Sequence, residues 1–313
     1  ENSMNGTVLE LLDKKYESKV NLPSVRKNPV IGIVPILNGC NYFCTFCSTK
    51  LVKGRLFSYP MGAIREDVKS HLKAGCREIW ITSNDTGAYM VEQGGKQKLV
   101  ELMENILSVP MDFKVRIGMM NPGNTITMLD ELIEIYRYPK MFKFLHIPVQ
   151  AGNDEVLKAM NRRYSVEDFI NVVEAFRKEI PEITISTDII VGFPAETEGQ
   201  FNDSMELLRK IKPDVLNLSR YAAREGTIAA KMKQHSTNEL KRRSRLMTEL
   251  YRKIAYERNQ KWIGWEGKIL IDEKGKLDSW IGRNEYYKPV IVKGSFKLGE
   301  ELSVKITDAT TFD

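Results

Sequence analysis

Short apolar runs alternate with amphipathic stretches along most of the chain. Helical spacing of apolar residues lies at 61–74, 98–107, 128–136, 165–178 and 201–211. Apolar, β-branched runs typical of buried strands lie at 30–37, 78–82, 113–119, 142–149, 183–191 and 215–221. Ser165 and Asp168 form a capping-box pattern at the fourth helix. This alternation predicts an α/β fold, an open and partial (β/α)6 barrel of the TIM type, too short to close with eight units.

The pattern changes after residue 236. A helical stretch at 237–262 is rich in Lys and Arg, and strand-like runs at 268–271, 290–292 and 301–306 follow it, broken by glycines. These runs predict a small all-β barrel. We predict four regions: a connector with a short amphipathic helix near Val8–Leu12 at 1–29, the barrel at 30–236, a basic helix at 237–263 and a β-domain at 264–313.

Composition excludes several classes of protein. The chain is 42% hydrophobic and 28% charged, which is ordinary for a globular protein. No apolar run approaches the roughly 18–20 residues that span a bilayer, and no signal-peptide pattern is present. Four cysteines in 313 residues suit a reducing compartment rather than a disulfide framework. We therefore predict a cytoplasmic protein with no membrane partner.

Three of the four cysteines, Cys40, Cys44 and Cys47, share one loop after the first predicted strand, with C-x3-C-x2-C spacing. Thiolates suit iron–sulfur clusters, zinc or copper(I). Three thiolates can hold three irons of a 4Fe–4S cube and leave the fourth iron open to a substrate. A zinc site needs a fourth ligand, and no remaining Cys or His lies at a zinc-finger spacing. We favour a cluster over zinc, and over three merely buried thiols.

The cysteine spacing, with Phe46 before the last cysteine, resembles that of radical S-adenosylmethionine (SAM) enzymes. The resemblance implies that the open iron binds the amino and carboxylate groups of SAM, and that reduction releases a 5′-deoxyadenosyl radical. Strand-end motifs narrow the resemblance to the methylthiotransferases: GRLFS at 54–58, FLHIPVQAG at 144–152, VLKAMNRRY at 156–164, STDIIVGFPAET at 186–197 and YAAREGT at 221–227.

Two further motifs, EIWITSNDTGAY at 78–89 and RIGMMNP at 116–122, resemble the archaeal and eukaryotic branch of that family. That branch methylthiolates threonylcarbamoyladenosine beside the tRNA anticodon. The C-terminal residues, with GRNEYY at 282–287, resemble a TRAM domain, an RNA-binding β-barrel. The alternatives are another single-cluster radical SAM enzyme acting on RNA or a small molecule, and a non-catalytic RNA-binding protein with a structural metal.

The resemblance implies roles for individual residues. Cys40, Cys44 and Cys47 would hold the cluster. Arg162 would bind the SAM carboxylate, because a guanidinium pairs with a carboxylate in bidentate geometry. The other expected SAM contacts are Phe46, Ser83, Asp85, Asn121, Gln150 and Asp188. The alternatives are a helix-end cation for Arg162, a strand-end carboxylate for Asp188 and turn residues for Ser83 and Asp85.

RNA contacts are expected from the basic helix and the β-domain, at Lys241, Arg242, Arg243, Arg245, Arg283 and Tyr286. Cations contact phosphates without reading sequence, and aromatic rings stack on unpaired bases. A solvated charged face is the alternative for the helix, and a core position is the alternative for Tyr286, Tyr287 and Trp280. The expected partners are tRNA, an electron donor of the reductase, flavodoxin or ferredoxin type, and an unidentified sulfur source.

The family also carries an N-terminal domain with three more cysteines for a second 4Fe–4S cluster, which takes part in sulfur delivery. We therefore expect one 4Fe–4S cluster here and the second only in a full-length protein, with 1–29 following the missing domain. His146 is expected to be a satisfied core histidine and Cys76 a packed thiol. Met119 and Met120 are expected to be core or cavity-lining residues.

Overall fold

A computed structural model describes residues 17–23 and 25–313 of the chain. The amphipathic helix predicted near the N-terminus lies outside the described residues. The strands up to residue 220 are β1 (Ile31–Pro35), β2 (Leu37–Asn38), β3 (Phe57–Ser58), β4 (Glu78–Thr82), β5 (Lys114–Ile117), β6 (Phe144–His146), β7 (Thr184–Val191) and β8 (Val215–Arg220). The helices of the same part are α1 (Thr49–Lys53), α2 (Met61–Lys73), α3 (Leu99–Leu107), α4 (Pro122–Thr125), α5 (Leu129–Arg137), α6 (Asp154–Ala159), α7 (Val166–Glu179) and α8 (Glu198–Ile211).

Six of these strands form the predicted partial barrel. Strands β1, β4 and β5 pair in parallel, as do β6, β7 and β8. A parallel bridge between Val115 and Met141 joins the two groups. The strand order therefore follows the sequence from β1 to β8, and no pairing between β1 and β8 is found in the described part of the chain. The prediction of an open (β/α)6 barrel is confirmed.

Most predicted helices and strands of the barrel begin and end within two residues of the observed ones. Ser165 caps α7, and its reciprocal hydrogen bonds with Asp168 form the predicted capping box. Helix α8 begins at Glu198, three residues earlier than predicted, because Thr197 and Gln200 form a second capping box there. The short helices α1, α4 and α6 were missed, since four to six residues show no helical period.

After the barrel come helix α9 (Thr237–Gln260) and four strands, β9 (Glu266–Lys274), β10 (Ser279–Arg283), β11 (Pro289–Lys293) and β12 (Glu301–Lys305). These strands form an antiparallel sheet in the order β11-β10-β9-β12, which we call the β-module. Strand β10 was missed from the sequence. Its pairing with β9 shifts register between Ile281 and Gly282, and an irregular strand gives a weak alternating pattern.

The β-module packs against the N-terminal ends of the barrel strands, which we call the floor. The Tyr287 ring lies 4.8 Å from the ring of Phe142 and 5.1 Å from that of Phe144. Lys288 of the module donates to Asp214 before β8 at 2.9 Å. The opposite end of the barrel, formed by the C-terminal ends of the strands, is the mouth. No helix among the described residues is long and apolar enough to cross a membrane.

Candidate cofactor-binding site at the barrel mouth

A short antiparallel strand pair closes the base of the long cysteine loop. Strands β2 and β3 pair antiparallel on either side of the loop. Gly39, at the start of the loop, has φ +74°, and a Cβ atom there would lie 2.0 Å from the carbonyl oxygen of Arg55. Only glycine fits so close an approach in this conformation. This strand pair and Gly39 therefore fix the point at which the cysteine loop begins.

The end of helix α6 holds the other side of the loop. The Thr45 amide donates to the Met160 carbonyl at 3.1 Å, and the Thr45 hydroxyl to the Ala159 carbonyl at 2.8 Å. The side-chain amide of Asn161 donates to the Phe43 carbonyl at 2.8 Å. These bonds satisfy carbonyl groups at a helix end and fix the loop against the segment that carries Arg162.

One cavity at the mouth brings most of the predicted site residues together. Its lining comes from the cysteine loop and from the segments that follow β4, β5 and β6, as expected when the C-terminal ends of parallel strands meet. Ser83 and Asp188 are not among the lining residues. The lining consists of Cys40, Tyr42, Cys44, Phe46, Cys47, Thr49, Asn84, Asp85, Met119, Asn121, Pro148, Gln150 and Arg162.

Each of the three half-buried cysteine sulfurs has a polar neighbour. The Tyr42 amide donates to Cys40 Sγ at 3.4 Å, Cys47 Sγ lies 3.2 Å from the Thr49 hydroxyl, and Arg162 Nη1 lies 3.2 Å from Cys44 Sγ. Such contacts to sulfur stabilise thiolates and tune cluster potentials. The chemistry of this donor set fits an iron–sulfur cluster.

A single metal ion fits less well. Among the residues that the structure describes, no three His, Cys, Asp or Glu side chains converge as the ligands of one ion. Thiolates on three separate irons of a cube lie farther apart than ligands on one zinc ion.

Arg162 supplies the positive charge of the cavity. Its Nε donates to the Tyr164 hydroxyl at 2.9 Å, and that hydroxyl donates to the Val149 carbonyl at 2.8 Å. Burial alone would lower the pKa of Arg162, but the facing Tyr164 and Cys44 hold its pKa above the ordinary value. The guanidinium therefore stays charged beside the thiols. Sequence reasoning did not single out Tyr164, although its place two residues after Arg162 was the available signal.

Asp85 is fully buried, and its carboxylate is already occupied. It accepts hydrogen bonds from the amides of Gly87 at 3.1 Å and Asn121 at 3.0 Å, and from the side chain of Asn124 at 2.8 Å. Burial raises the pKa of Asp85 to about 6. Ser83 accepts from the Asp85 amide at 3.1 Å and so belongs to the same turn. These bonds favour a positioning role for both residues over direct contact with SAM.

Asn121 and Gln150 line the cavity from two neighbouring strand ends. Asn121 is buried, and its side chain caps α4 by accepting from the Gly123 amide at 2.9 Å. Gln150 has φ +74°, while its main chain pairs with β7 through Asp188 and Ile190. A non-glycine residue in this left-handed conformation is uncommon outside turns. The main-chain bonds hold it there and leave the Gln150 side chain at the cavity.

Asp188 lies elsewhere, on the barrel side of β7. Its Oδ1 accepts from His146 Nε2 at 2.9 Å and from Asn217 Nδ2 at 2.7 Å. This geometry therefore does not favour the expected contact between Asp188 and SAM at the cysteine cavity. His146 is hydrogen-bonded, as expected, but it faces a carboxylate and the barrel interior instead of an apolar core.

The packed residues match their predictions. Cys76 is 2% exposed, and burial raises the pKa of its thiol. Met120 is fully buried, whereas Met119 lines the cavity. These three residues therefore lie where the hydrophobic pattern indicated.

The basic helix α9 is less available to RNA than its composition indicated. Arg243 is buried and forms ion pairs of 2.6 Å with both Glu196 and Glu239, so its prediction as a phosphate contact is wrong. Arg242 also pairs with Glu239, at 2.7 Å. Lys241 and Arg245 are exposed, and no ion pair of theirs is found in the described part of the chain. These two cations remain candidates.

The aromatic and basic candidates of the β-module also differ in their availability to RNA. Arg283 pairs with Asp272 at 3.2 Å and stacks on Tyr287, which is itself buried in the floor. Neither side chain is free to meet a base. The Tyr286 hydroxyl lies 3.1 Å from Glu182, and its ring packs 5.1 Å from that of Trp262. Trp280 is half-buried and remains a candidate for stacking.

Comparison with known proteins agrees with this geometry. Residues 34–208 match the model of the radical SAM superfamily, and residues 261–313 match that of the TRAM domain. A probable threonylcarbamoyladenosine tRNA methylthiotransferase from Archaeoglobus fulgidus is 42% identical over 309 residues, spanning 98% of this chain and 72% of that protein. A threonylcarbamoyladenosine tRNA methylthiotransferase from Drosophila melanogaster is 37% identical, over 100% of this chain and 58% of that protein.

Solved structures with the same barrel are more distant in sequence. Coproporphyrinogen III oxidase from Escherichia coli, a radical SAM enzyme, superposes with a TM-score of 0.54 at 18% identity, over 75% of this chain and 54% of that one. A radical SAM methyltransferase from Kitasatospora setae gives 0.52 at 15% identity, over 64% of this chain and 38% of that one. At these identities the likeness concerns the fold alone. On its sequence relatives and matched domains, the chain belongs to the threonylcarbamoyladenosine tRNA methylthiotransferase family of the radical SAM superfamily.

Proposed function

We propose that this chain carries the SAM-cleaving and tRNA-binding parts of an enzyme that attaches a methylthio group to threonylcarbamoyladenosine in tRNA. The observation that carries the proposal is the meeting of three cysteines and a charged arginine in one cavity at the mouth of a six-stranded barrel. The substrate is the one in the names of its relatives, and the TRAM match supports RNA binding.

The cavity residues have separate tasks in this proposal. Cys40, Cys44 and Cys47 hold a 4Fe–4S cluster, which together with bound SAM supplies a 5′-deoxyadenosyl radical. Arg162 binds the SAM carboxylate, since its guanidinium is the charged group facing the thiols. Gln150 and Asn121 contribute polar contacts, and Phe46 gives an apolar wall. Asp85 and Ser83 hold the loops after β4 and β5 in place.

The cysteines of this sequence allow one 4Fe–4S cluster. The fourth cysteine, Cys76, is buried in the hydrophobic core and does not line the cavity. A second 4Fe–4S cluster would need cysteines that this sequence does not contain. We propose that sulfur delivery uses such a second cluster outside these 313 residues. The electron donor of reductase, flavodoxin or ferredoxin type and the cytoplasmic location both stay predictions.

SAM cleavage by the reconstituted chain tests the site. With dithionite and SAM under anaerobic conditions, we expect about four irons per chain and formation of 5′-deoxyadenosine. Cys44→Ala should lose both, because one iron loses its ligand, whereas the matched variant Cys76→Ala should keep both. Cleavage that survives Cys44→Ala would refute the ligand assignment. About eight irons per chain would contradict a single cluster.

The substrate is tested in cells. Deletion of the full-length gene should remove the methylthio group from threonylcarbamoyladenosine, as measured by mass spectrometry of tRNA nucleosides. Complementation by the natural gene should restore the product, and complementation by the same gene with Cys44→Ala should not. An unchanged nucleoside profile in the deletion strain would overturn the proposed substrate.

A further inference from the structure

The interior of this barrel is not completely filled by its own side chains. A closed eight-stranded barrel packs its interior in layers, but here Ile33, in the middle of β1, is 55% exposed. Its neighbours Gly32 and Val34 are buried on the opposite face, where a Cβ on Gly32 would lie 2.8 Å from His71 of α2. Ile33 therefore points into the barrel. We call the open interior of the barrel the chamber.

One wall of the chamber carries three joined polar side chains. His146 on β6, Asp188 on β7 and Asn217 on β8 meet through the two hydrogen bonds to Asp188 Oδ1, and Asn217 Nδ2 also lies 3.4 Å from His146 Nε2. The His146 and Asp188 side chains keep exposures of 16% and 25%, and Asn217 is exposed. The intervening Thr187 faces the other way and donates to the Ile147 carbonyl at 2.8 Å. The trio is thus presented to the chamber.

The atoms that the trio leaves unused are acceptors. Asp188 Oδ2, the second ring nitrogen of His146 and Asn217 Oδ1 have no hydrogen bond to any described residue. A neutral histidine that donates from Nε2 to a carboxylate has an acceptor at Nδ1, and a side-chain amide oxygen accepts as well. This wall therefore suits a ligand that offers N–H or O–H groups.

Arg116, on β5, contributes a positive charge and hydrogen-bond donors instead of acceptors. Its guanidinium stacks over the rings of Trp80 at 5.0 Å, Phe144 at 4.6 Å and Tyr287 at 5.0 Å. Its buried Nε has no acceptor, and within the described residues no acid lies within ion-pair distance of it. Lys114, two residues earlier on the same face, uses its amine on the Pro139 carbonyl at 2.7 Å. Arg116 therefore offers the chamber a positive charge with donors left to use.

One aromatic ring contacts both the cation and a member of the trio. The Phe144 ring stacks with the Arg116 guanidinium at 4.6 Å, and its centroid is 6.5 Å from that of the His146 ring. Phe144 and His146 are two residues apart on β6, a step of about 6.6 Å along a strand. One small ligand of mixed character can reach both groups. It needs a carboxylate at one end and N–H or O–H donors nearer the mouth.

Building on the proposed function, we propose that the chamber binds the threonylcarbamoyl substituent of the substrate base. Its carboxylate would pair with Arg116, and its ureido N–H and hydroxyl groups would donate to Asp188, His146 and Asn217. In adenine, C2 and C6 are both bonded to N1, and their outward bonds diverge. A base with C2 at the mouth can therefore extend its N6 substituent along the chamber wall. The carboxylate of SAM has its own partner, Arg162.

Binding of anticodon stem-loop RNA to the reconstituted chain with SAM tests the chamber, with fluorescence anisotropy as the readout. Three RNAs are compared, which carry threonylcarbamoyladenosine, its threonine methyl ester or unmodified adenosine at one position. We expect the carboxylate form to bind about tenfold tighter than the ester, as one charge-assisted hydrogen-bonded pair provides. Arg116→Gln should abolish that ratio, because glutamine carries no charge.

Two further variants separate recognition from folding. Lys178→Gln removes an exposed cation of α7, and it should keep the tenfold ratio. Asp188→Asn should reduce the preference for the methyl ester over unmodified adenosine, since the acceptors of the trio are altered. Because each ratio is taken within one variant, a general loss of folded protein does not produce the expected pattern.

The outcomes are distinct. Equal binding of all three RNAs by the natural chain overturns the chamber and leaves the tRNA function standing. A tenfold preference that survives Arg116→Gln overturns the assignment of the carboxylate to Arg116. No binding of any RNA overturns the RNA-binding part of the proposed function, and the chamber with it.

Discussion

The two ends of the barrel are built in opposite ways. At the floor, the Tyr287 ring fits between Phe142 and Phe144, and Asp214 is held by Lys288 at 2.9 Å and Arg258 at 3.0 Å. The three rings, Asp214 and Lys288 are buried, and Asp214 is paired with both cations. At the mouth, the three cysteines are half-exposed, and loops in unusual conformations carry the side chains.

The two ends of the barrel differ because loops form one of them and the β-module covers the other. Parallel strands leave their C-terminal ends to loops, and loops can direct several side chains at one ligand. The N-terminal ends are covered here by the β-module, which turns them into an interface. Variants at the floor should therefore change stability before chemistry, and variants at the mouth should change chemistry before stability.

The largest effect is expected from Asp214→Ala at the floor. Lys288 and Arg258 would be left near the floor without their buried counter-charge, which costs about 3–5 kcal/mol of unfolding free energy. Urea unfolding measures the loss. Glu257→Ala, which breaks an exposed pair with Lys212, is the control and should cost at most about 1 kcal/mol. Loss of SAM cleavage by folded Asp214→Ala protein at low temperature would contradict the division of roles.

A smaller effect is expected from pH at the floor. Burial raises the pKa of Glu78 to about 7, above the value of an unfolded glutamate. Its protonated form is therefore favoured by folding, and its contribution is fully present below about pH 4.5 and lost as pH rises through 7. Glu78→Gln should gain stability relative to the natural chain between pH 5 and 8, by up to about 3 kcal/mol. Urea unfolding at both pH values checks this, and a difference independent of pH would rule it out.

The smallest change in stability is expected from Arg162→Lys at the mouth. Lysine keeps the charge but loses the planar donors that reach Tyr164 and Cys44. SAM should bind about tenfold more weakly, with a smaller change in unfolding free energy than for Asp214→Ala. Calorimetric titration of SAM into the reconstituted chain, with iron content as the control, measures this. Unchanged affinity would remove Arg162 from the SAM site.

Local patterns predicted the barrel well, since apolar, β-branched runs mark its strands and helices of nine residues or more show a helical period. The capping box of Ser165 and Asp168 was readable because its residues are three apart in the chain. Helix α6, of six residues, was not readable, although its end holds the cysteine loop.

Charged residues were predicted least well. Arg243 and Arg245 look alike in the sequence, yet one is buried against Glu196 and the other is exposed. The sequence of a helix rich in cations does not show which of its faces packs on the barrel. Asp188 was expected near a strand end but lies inside β7, and its partners are 42 and 29 residues away in the chain. Contacts at such separations depend on the packed fold.

By itself, the sequence determined the chemistry available to this protein: three thiols at cluster spacing, six strand–helix units and a basic, β-rich C-terminal part. Those properties are local, set by residue type and spacing along the chain. Only the tertiary structure decided that Arg162 stands beside Cys44, that Arg243 is withdrawn from solvent, and that Asp188 and Arg116 face an open interior. The reason is physical, since burial and ion pairing arise between segments that meet only when the barrel forms.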